Sequence, residues 1–72
     1  MSLRIDLLGG ADAELQDAFN RFEDYHEGFG AEFMAAIEVY LIRISVFPEI
    51  APIYFENVRR QVMQRFPYGI FY

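Results

Sequence analysis

The sequence contains no cysteine, no lysine and no threonine, and only one histidine. Each absence removes a class of explanation. Without cysteine there is no disulfide framework and no thiolate metal site. His26 alone cannot build an imidazole cluster, so no metal is expected, and no spacing of the remaining residues suggests a cofactor. The only hydroxyl side chains apart from tyrosine are Ser2 and Ser45, and neither is placed to serve as a nucleophile beside His26. Gly9-Gly10 is too short to be a phosphate-binding loop. No apolar run approaches the roughly 18 residues of a membrane span. The N-terminal Met1–Leu8 run is broken by Asp6 and lacks the features of a signal peptide. A cytoplasmic, soluble chain without membrane contact is expected.

What is present is a dense supply of apolar side chains. At 72 residues the chain is read as a single domain, residues 1–72, yet it is 54% hydrophobic and 18% aromatic. A core of this size is marginal, and with disulfides and metals removed a partner is the remaining stabiliser. The net charge of −5 is unevenly distributed. Residues 1–57 set three arginines against all eleven acids, a net of −8, whereas the last fifteen residues carry Arg59, Arg60 and Arg65 and no acid, a net of +3. Arginine forks suit carboxylates and phosphates. Because the chain as a whole is acidic, direct nucleic-acid binding is not expected.

Residues 3–8 alternate, with Leu3, Ile5 and Leu7 on one face, and predict a short strand. Residues 11–26 predict an amphipathic helix, its apolar sector formed by Ala11, Leu15, Ala18, Phe19, Phe22 and Tyr25. His26 sits at its end as a packing or dipole residue. Gly28 and Gly30 supply left-handed positions for a reversal into a second helix over 31–47, ended by Pro48. That helix has a main face of Phe33, Ala36, Ile37, Tyr40, Leu41, Ile44 and Phe47. It also has a second apolar stripe, Ala35, Val39, Ile42 and Val46. A helix apolar on two sides is buried on two sides. The second stripe is covered either by a partner helix or symmetry mate, or by the first helix or loop folding over part of it. Residues 48–57, with Pro48 and Pro52, read as a connection that packs down onto the core. Val58–Phe66 predicts a strand, Phe66-Pro67-Tyr68-Gly69 a turn, and Ile70-Phe71-Tyr72 the start of a returning strand. The fold class is therefore α+β: a short strand, an antiparallel helical hairpin and a β-hairpin, forming a small sheet backed by two helices. The hairpin would leave an open edge that invites strand addition or dimerisation.

Ala13-Glu14-Leu15, Phe29-Gly30-Ala31-Glu32-Phe33 and Arg65-Phe66-Pro67-Tyr68, in this order of elements, resemble the ParE/RelE toxin superfamily of plasmid-stabilisation systems, and its ParE branch in particular. The resemblance runs from about Leu3 to Tyr72. It implies the toxin half of a type II toxin–antitoxin module, neutralised by a cognate antitoxin. ParE-like members inhibit DNA gyrase by protein–protein contact, whereas RelE-like members cut messenger RNA. The chain stops where members of the superfamily usually continue for one or two strands, so a truncated domain is expected. The positions of two interferase cations fall at Gly69 and Val62, leaving Arg60 as the single catalytic candidate that carries over. The leading expectation is thus a non-enzymatic, ParE-like toxin. The alternatives are a non-toxic member that only binds antitoxin or self-associates, and a RelE-like interferase. The partner-binding residues expected are Ala35, Val39, Ile42 and Val46 on the helix, and Arg59, Arg60, Arg65, Tyr68, Ile70 and Tyr72 on the hairpin.

Overall fold

A computed structural model describes residues 3–72, and shows a small α+β protein. The elements are β1 (Leu3–Asp6), α1 (Asp12–Tyr25), α2 (Phe29–Val46), β2 (Ile53–Phe55), β3 (Val58–Val62) and β4 (Tyr68–Phe71). The four strands form one mixed sheet in the order β1-β4-β3-β2. β4 pairs with β3 antiparallel and with β1 parallel, so the last strand is an inner strand and β1 and β2 are the edges.

This pairing corrects the expected open hairpin edge. The hydrogen-bonding side of Ile70 and Phe71 that would have been free is taken by Ile5 and Asp6, in register. Leu7 N–H extends the ladder to the Phe71 carbonyl at 2.9 Å. The returning strand begins at Tyr68, earlier than expected, and β3 ends at Val62 rather than Phe66. Pro67 lies inside the connecting loop, which is closed by Met63 N–H to the Tyr68 carbonyl (3.0 Å) and Tyr68 N–H to the Phe66 carbonyl (2.8 Å). The second hydrogen bond spans only Pro67, a tighter reversal than the four-residue turn the sequence suggests.

Residues 48–57 are not merely a connection, because they contain β2. Pro52 stands just before this strand, where its missing N–H interrupts nothing, and its carbonyl accepts Arg60 N–H at 3.2 Å. Nor does the segment pack down. Ala51 is buried, but Ile50, Ile53, Tyr54 and Phe55 are all exposed. A two-residue turn, Glu56-Asn57, joins β2 to β3, with Glu56 at the positive φ (+50°) that such hairpins favour at their first turn position.

The two helices pack on each other, and β1 lies beneath α1. Ile5, Ala18, Phe33 and Ile70 are fully buried at the centre. Around them the rings of Phe22, Phe33, Phe66 and Tyr68 interlock, with centroids 5.0–5.8 Å apart. Such edge-to-face and tilted pairs add about 0.5–1.5 kcal/mol beyond simple burial. Two residues assigned to apolar helix faces are not core: Tyr25 and Phe47 are both exposed, at the last turn of α1 and just past the end of α2.

The helical hairpin turns on two glycines with different roles. Gly28 has φ +85° and is the left-handed reversal. Gly30 is helical, so α2 starts two residues earlier than the sequence suggests, and its missing side chain serves close packing instead. A Cβ there would lie 2.7 Å from the Phe19 carbonyl oxygen and 2.7 Å from Glu23 Cγ. Glu23 exploits this approach: its carboxylate accepts Gly30 N–H at 2.9 Å and Gly28 N–H at 3.2 Å. It thereby satisfies free donors at the positive end of α2. Gly30→Ala gains about 1 kcal/mol of helix propensity. The collision with the α1 backbone costs about 1–3 kcal/mol. A net loss of stability is expected, read as a lower urea midpoint; an unchanged or higher midpoint would show that the helices can separate without cost.

Candidate interaction surfaces

Strand alternation and the β3–β4 loop send the three arginines of the basic segment to different tasks. Arg59 pairs in register with Tyr72 through two backbone hydrogen bonds, 2.7 and 3.0 Å. Its guanidinium donates to the Ala51 carbonyl at 2.6 Å and the Glu49 carbonyl at 3.3 Å. The Tyr72 hydroxyl accepts Ala51 N–H at 3.4 Å. Arg59 and Tyr72 therefore fasten the α2–β2 loop to the sheet. Arg60, one residue on, points to the opposite face, 4.8 Å above the Tyr54 ring. Arg65 lies in the β3–β4 loop, 3.6 Å from the Glu32 carboxylate and largely exposed. The same loop is held to α2 by Gln64 N–H donating to the Tyr40 hydroxyl at 3.2 Å.

On the sheet face away from the helices, Phe71 is covered by its neighbours' side chains. The Arg4 guanidinium lies 3.8 Å over the Phe71 ring, and the Tyr54 ring meets Phe71 edge-on at 5.2 Å. Arg60 completes the series on Tyr54, so one residue from each of the four strands contributes. Gly69 makes room for it, since a Cβ there would touch Phe71 at 3.4 Å and Arg60 at 3.5 Å. Phe71 is buried as a result.

Two surfaces are not sealed. The outer stripe of α2 is exposed along its length: Ala35 is open to solvent, and Val39, Ile42 and Val46 are 48%, 57% and 61% exposed. It continues past the helix end into a shallow groove of about 480 Å³ lined by Val46, Phe47, Pro48, Glu49 and Ile50. The second surface is β2, which among the described residues pairs only with β3 and has Ile53, Tyr54 and Phe55 all exposed.

The expected partner-binding residues thus separate. Ala35, Val39, Ile42 and Val46 form one continuous surface. Arg60 and Arg65 are accessible but engaged by Tyr54 and Glu32. Arg59 and Tyr72 are structural fasteners. Ile70 and Tyr68 are core residues, 0% and 5% exposed, because β4 is an inner strand. The residues of β2 and Ile50 were missed as surface, although their apolar character within a proline-bounded segment was visible in the sequence. No helix is long and apolar enough to cross a membrane, and no cluster of potential metal ligands occurs among the described residues.

No family model, curated protein or solved structure matches the chain.

The Tyr68 hydroxyl reaches a shallow groove shared with Arg4, Glu14, Asp17 and Arg21. Burial pushes its pKa above the ordinary tyrosine value of 10.0, with Arg21 pulling it down and Asp17 adding to the rise. A group with a higher pKa when folded supports folding fully below its unfolded value. That support is lost as the pH climbs through the folded value. Stability should therefore fall above about pH 10, and more steeply in the parent than in Tyr68→Phe. Urea midpoints between about pH 8 and pH 11 read the difference; parallel slopes would exclude Tyr68 as the group responsible.

Proposed function

We propose that this chain acts by protein–protein contact, as the toxin half of a type II toxin–antitoxin pair of ParE-like kind. The observation that supports the contact mode is the β2 edge. An unpaired strand edge carrying three exposed apolar side chains is a template for an added strand: its backbone groups supply affinity, and its side chains supply selectivity. Native proteins blunt such edges by shortness, proline, bulges, charge or a cover; β2 has three residues after Pro52 and a register shift between Ile53 and Phe55, so it can take only a short added segment. Here Arg60 sits on the neighbouring strand, ready to meet acidic groups of the incoming segment. The toxin assignment itself, with a cognate antitoxin as the strand donor and cytoplasmic DNA gyrase as the target, draws on the sequence resemblance.

The arginines favour contact over cleavage. Arg60, the single interferase candidate, is half-buried against Tyr54. Arg59 is committed to loop carbonyls. An RNase of this type needs several cations and an acid or base converging on one phosphate.

Purified protein in molar excess should reduce supercoiling by DNA gyrase, and the product of a neighbouring small reading frame should restore it. Unchanged supercoiling at high excess would remove gyrase as the target. Phe55→Asp, at a position 64% exposed, should keep the native circular dichroism spectrum and weaken the partner complex about tenfold or more. RNA cleavage that disappears in Arg60→Ala would replace this proposal with the interferase alternative.

A further inference from the structure

The outer stripe of α2 carries its own instructions for a partner. We propose that a second copy of this chain covers it, with the two α2 helices parallel and in register. The spacing of Ala35, Val39, Ile42 and Val46 is four, three and four, the alternation of a two-stranded helical seam. Val39 and Val46 occupy the a positions of this seam and Ala35 and Ile42 the d positions, and two copies are the commonest closed assembly of a single chain. The structure leaves all four exposed.

The flanking charges select the orientation. Glu38 falls at g and Arg43 at e, on opposite borders of the stripe. In a parallel, in-register pair the g residue of one helix meets the e residue five positions on in its partner. Glu38 of each copy then faces Arg43 of the other, twice per dimer. In an antiparallel pair centred on the stripe, g lies by g and e by e, so Glu38 would crowd Glu38 and Arg43 would crowd Arg43. Both residues are free to act this way. Among the described residues the side-chain ion pairs are Arg4–Asp6 and Arg65–Glu32, and they use neither Glu38 nor Arg43. Arg43 stays close to its own Tyr40 ring, 5.6 Å away.

The length of the seam sets its limits. One heptad before Val39 stands Glu32, tied to Arg65, so the seam begins at Ala35. From Ala35 to Val46 it runs about 16 Å, too short to hold two chains together by itself. The parallel orientation supplies the extension. It brings the Val46–Ile50 grooves of both copies to the same end, where exposed Phe47 and Ile50 can continue the contact. This dimer stands on α2 and the loop after it, and is independent of the toxin assignment and of the β2 edge.

The absence of cysteine makes the test direct. Ala35→Cys, Ile42→Cys and Val46→Cys, made singly at exposed positions, should each form a disulfide-linked homodimer on mild oxidation at high chain concentration. Light scattering of the parent at that concentration should give the mass of two chains. Glu38→Arg alone and Arg43→Glu alone should each weaken the dimer several-fold, and the double exchange should restore it, with unchanged circular dichroism throughout. Any other mass for the parent overturns the dimer. If Ala35→Cys cross-links only when mixed with Val46→Cys, the parallel register is overturned. Single charge exchanges without effect overturn the Glu38–Arg43 contact.

Discussion

The fold depends on the parallel pairing of β1 with β4, which joins opposite ends of the chain. It turns β4 from the outer arm of a hairpin into an inner strand whose four residues are all buried. Ile5 and Ile70 stand in register and are both fully buried, giving the helices a continuous apolar floor. On that floor the rings of Phe22, Phe33, Phe66 and Tyr68 form one cluster drawn from both helices, the β3–β4 loop and β4. Each fully buried ring or isoleucine contributes about 1.5–3 kcal/mol. In a chain this small, a handful of such residues decides whether it folds. Loss of the β1–β4 register would expose the floor and remove the support for the aromatic cluster together.

That pairing also explains where the sequence was and was not legible. Both helices could be read because their apolar period is local; the sectors of α1 and α2 predict Ala18, Phe33 and Ile37 as core. The partner of β4 could not be read, because nothing near Ile70 records that Ile5 will arrive beside it. An inner strand reads as a plain apolar run, and Ile70-Phe71-Tyr72 fits an inner or an outer place equally well. β2 was hidden by Pro48 and Pro52, which mask strand propensity, although a proline just before an edge strand is harmless. The two glycines of the helical hairpin look alike in sequence. Only the approach of α1 shows that Gly28 is there for its φ and Gly30 for its missing Cβ.

The arginines show a similar limit in the candidate site. Arg59, Arg60 and Arg65 appear in sequence as one basic segment suited to a phosphate backbone or an acidic partner. Strand alternation parts the first two onto opposite faces, and the loop carries the third to α2. One becomes a clamp on loop carbonyls, one stacks on a tyrosine, and one pairs with a carboxylate. Charge content records none of this, because the partners of these arginines lie on other elements.

The two apolar faces that the fold does not bury against its own core are treated differently. On the helix-free side of the sheet Arg4, Arg60 and Tyr54 are laid over Phe71 and take that ring out of water, while Tyr54 and Val62 stay about half exposed. Among the described residues, nothing comparable lies over the outer side of α2. Val39, Ile42 and Val46 contribute little to the stability of a single chain while they remain in solvent, since burial is what makes apolar area favourable. Polar residues at those positions would serve a lone chain better, being more soluble at no loss of core. The apolar character of this stripe is therefore not accounted for by the fold of one chain. With charges of opposite sign on its two borders, it is the feature on which the proposed dimer rests.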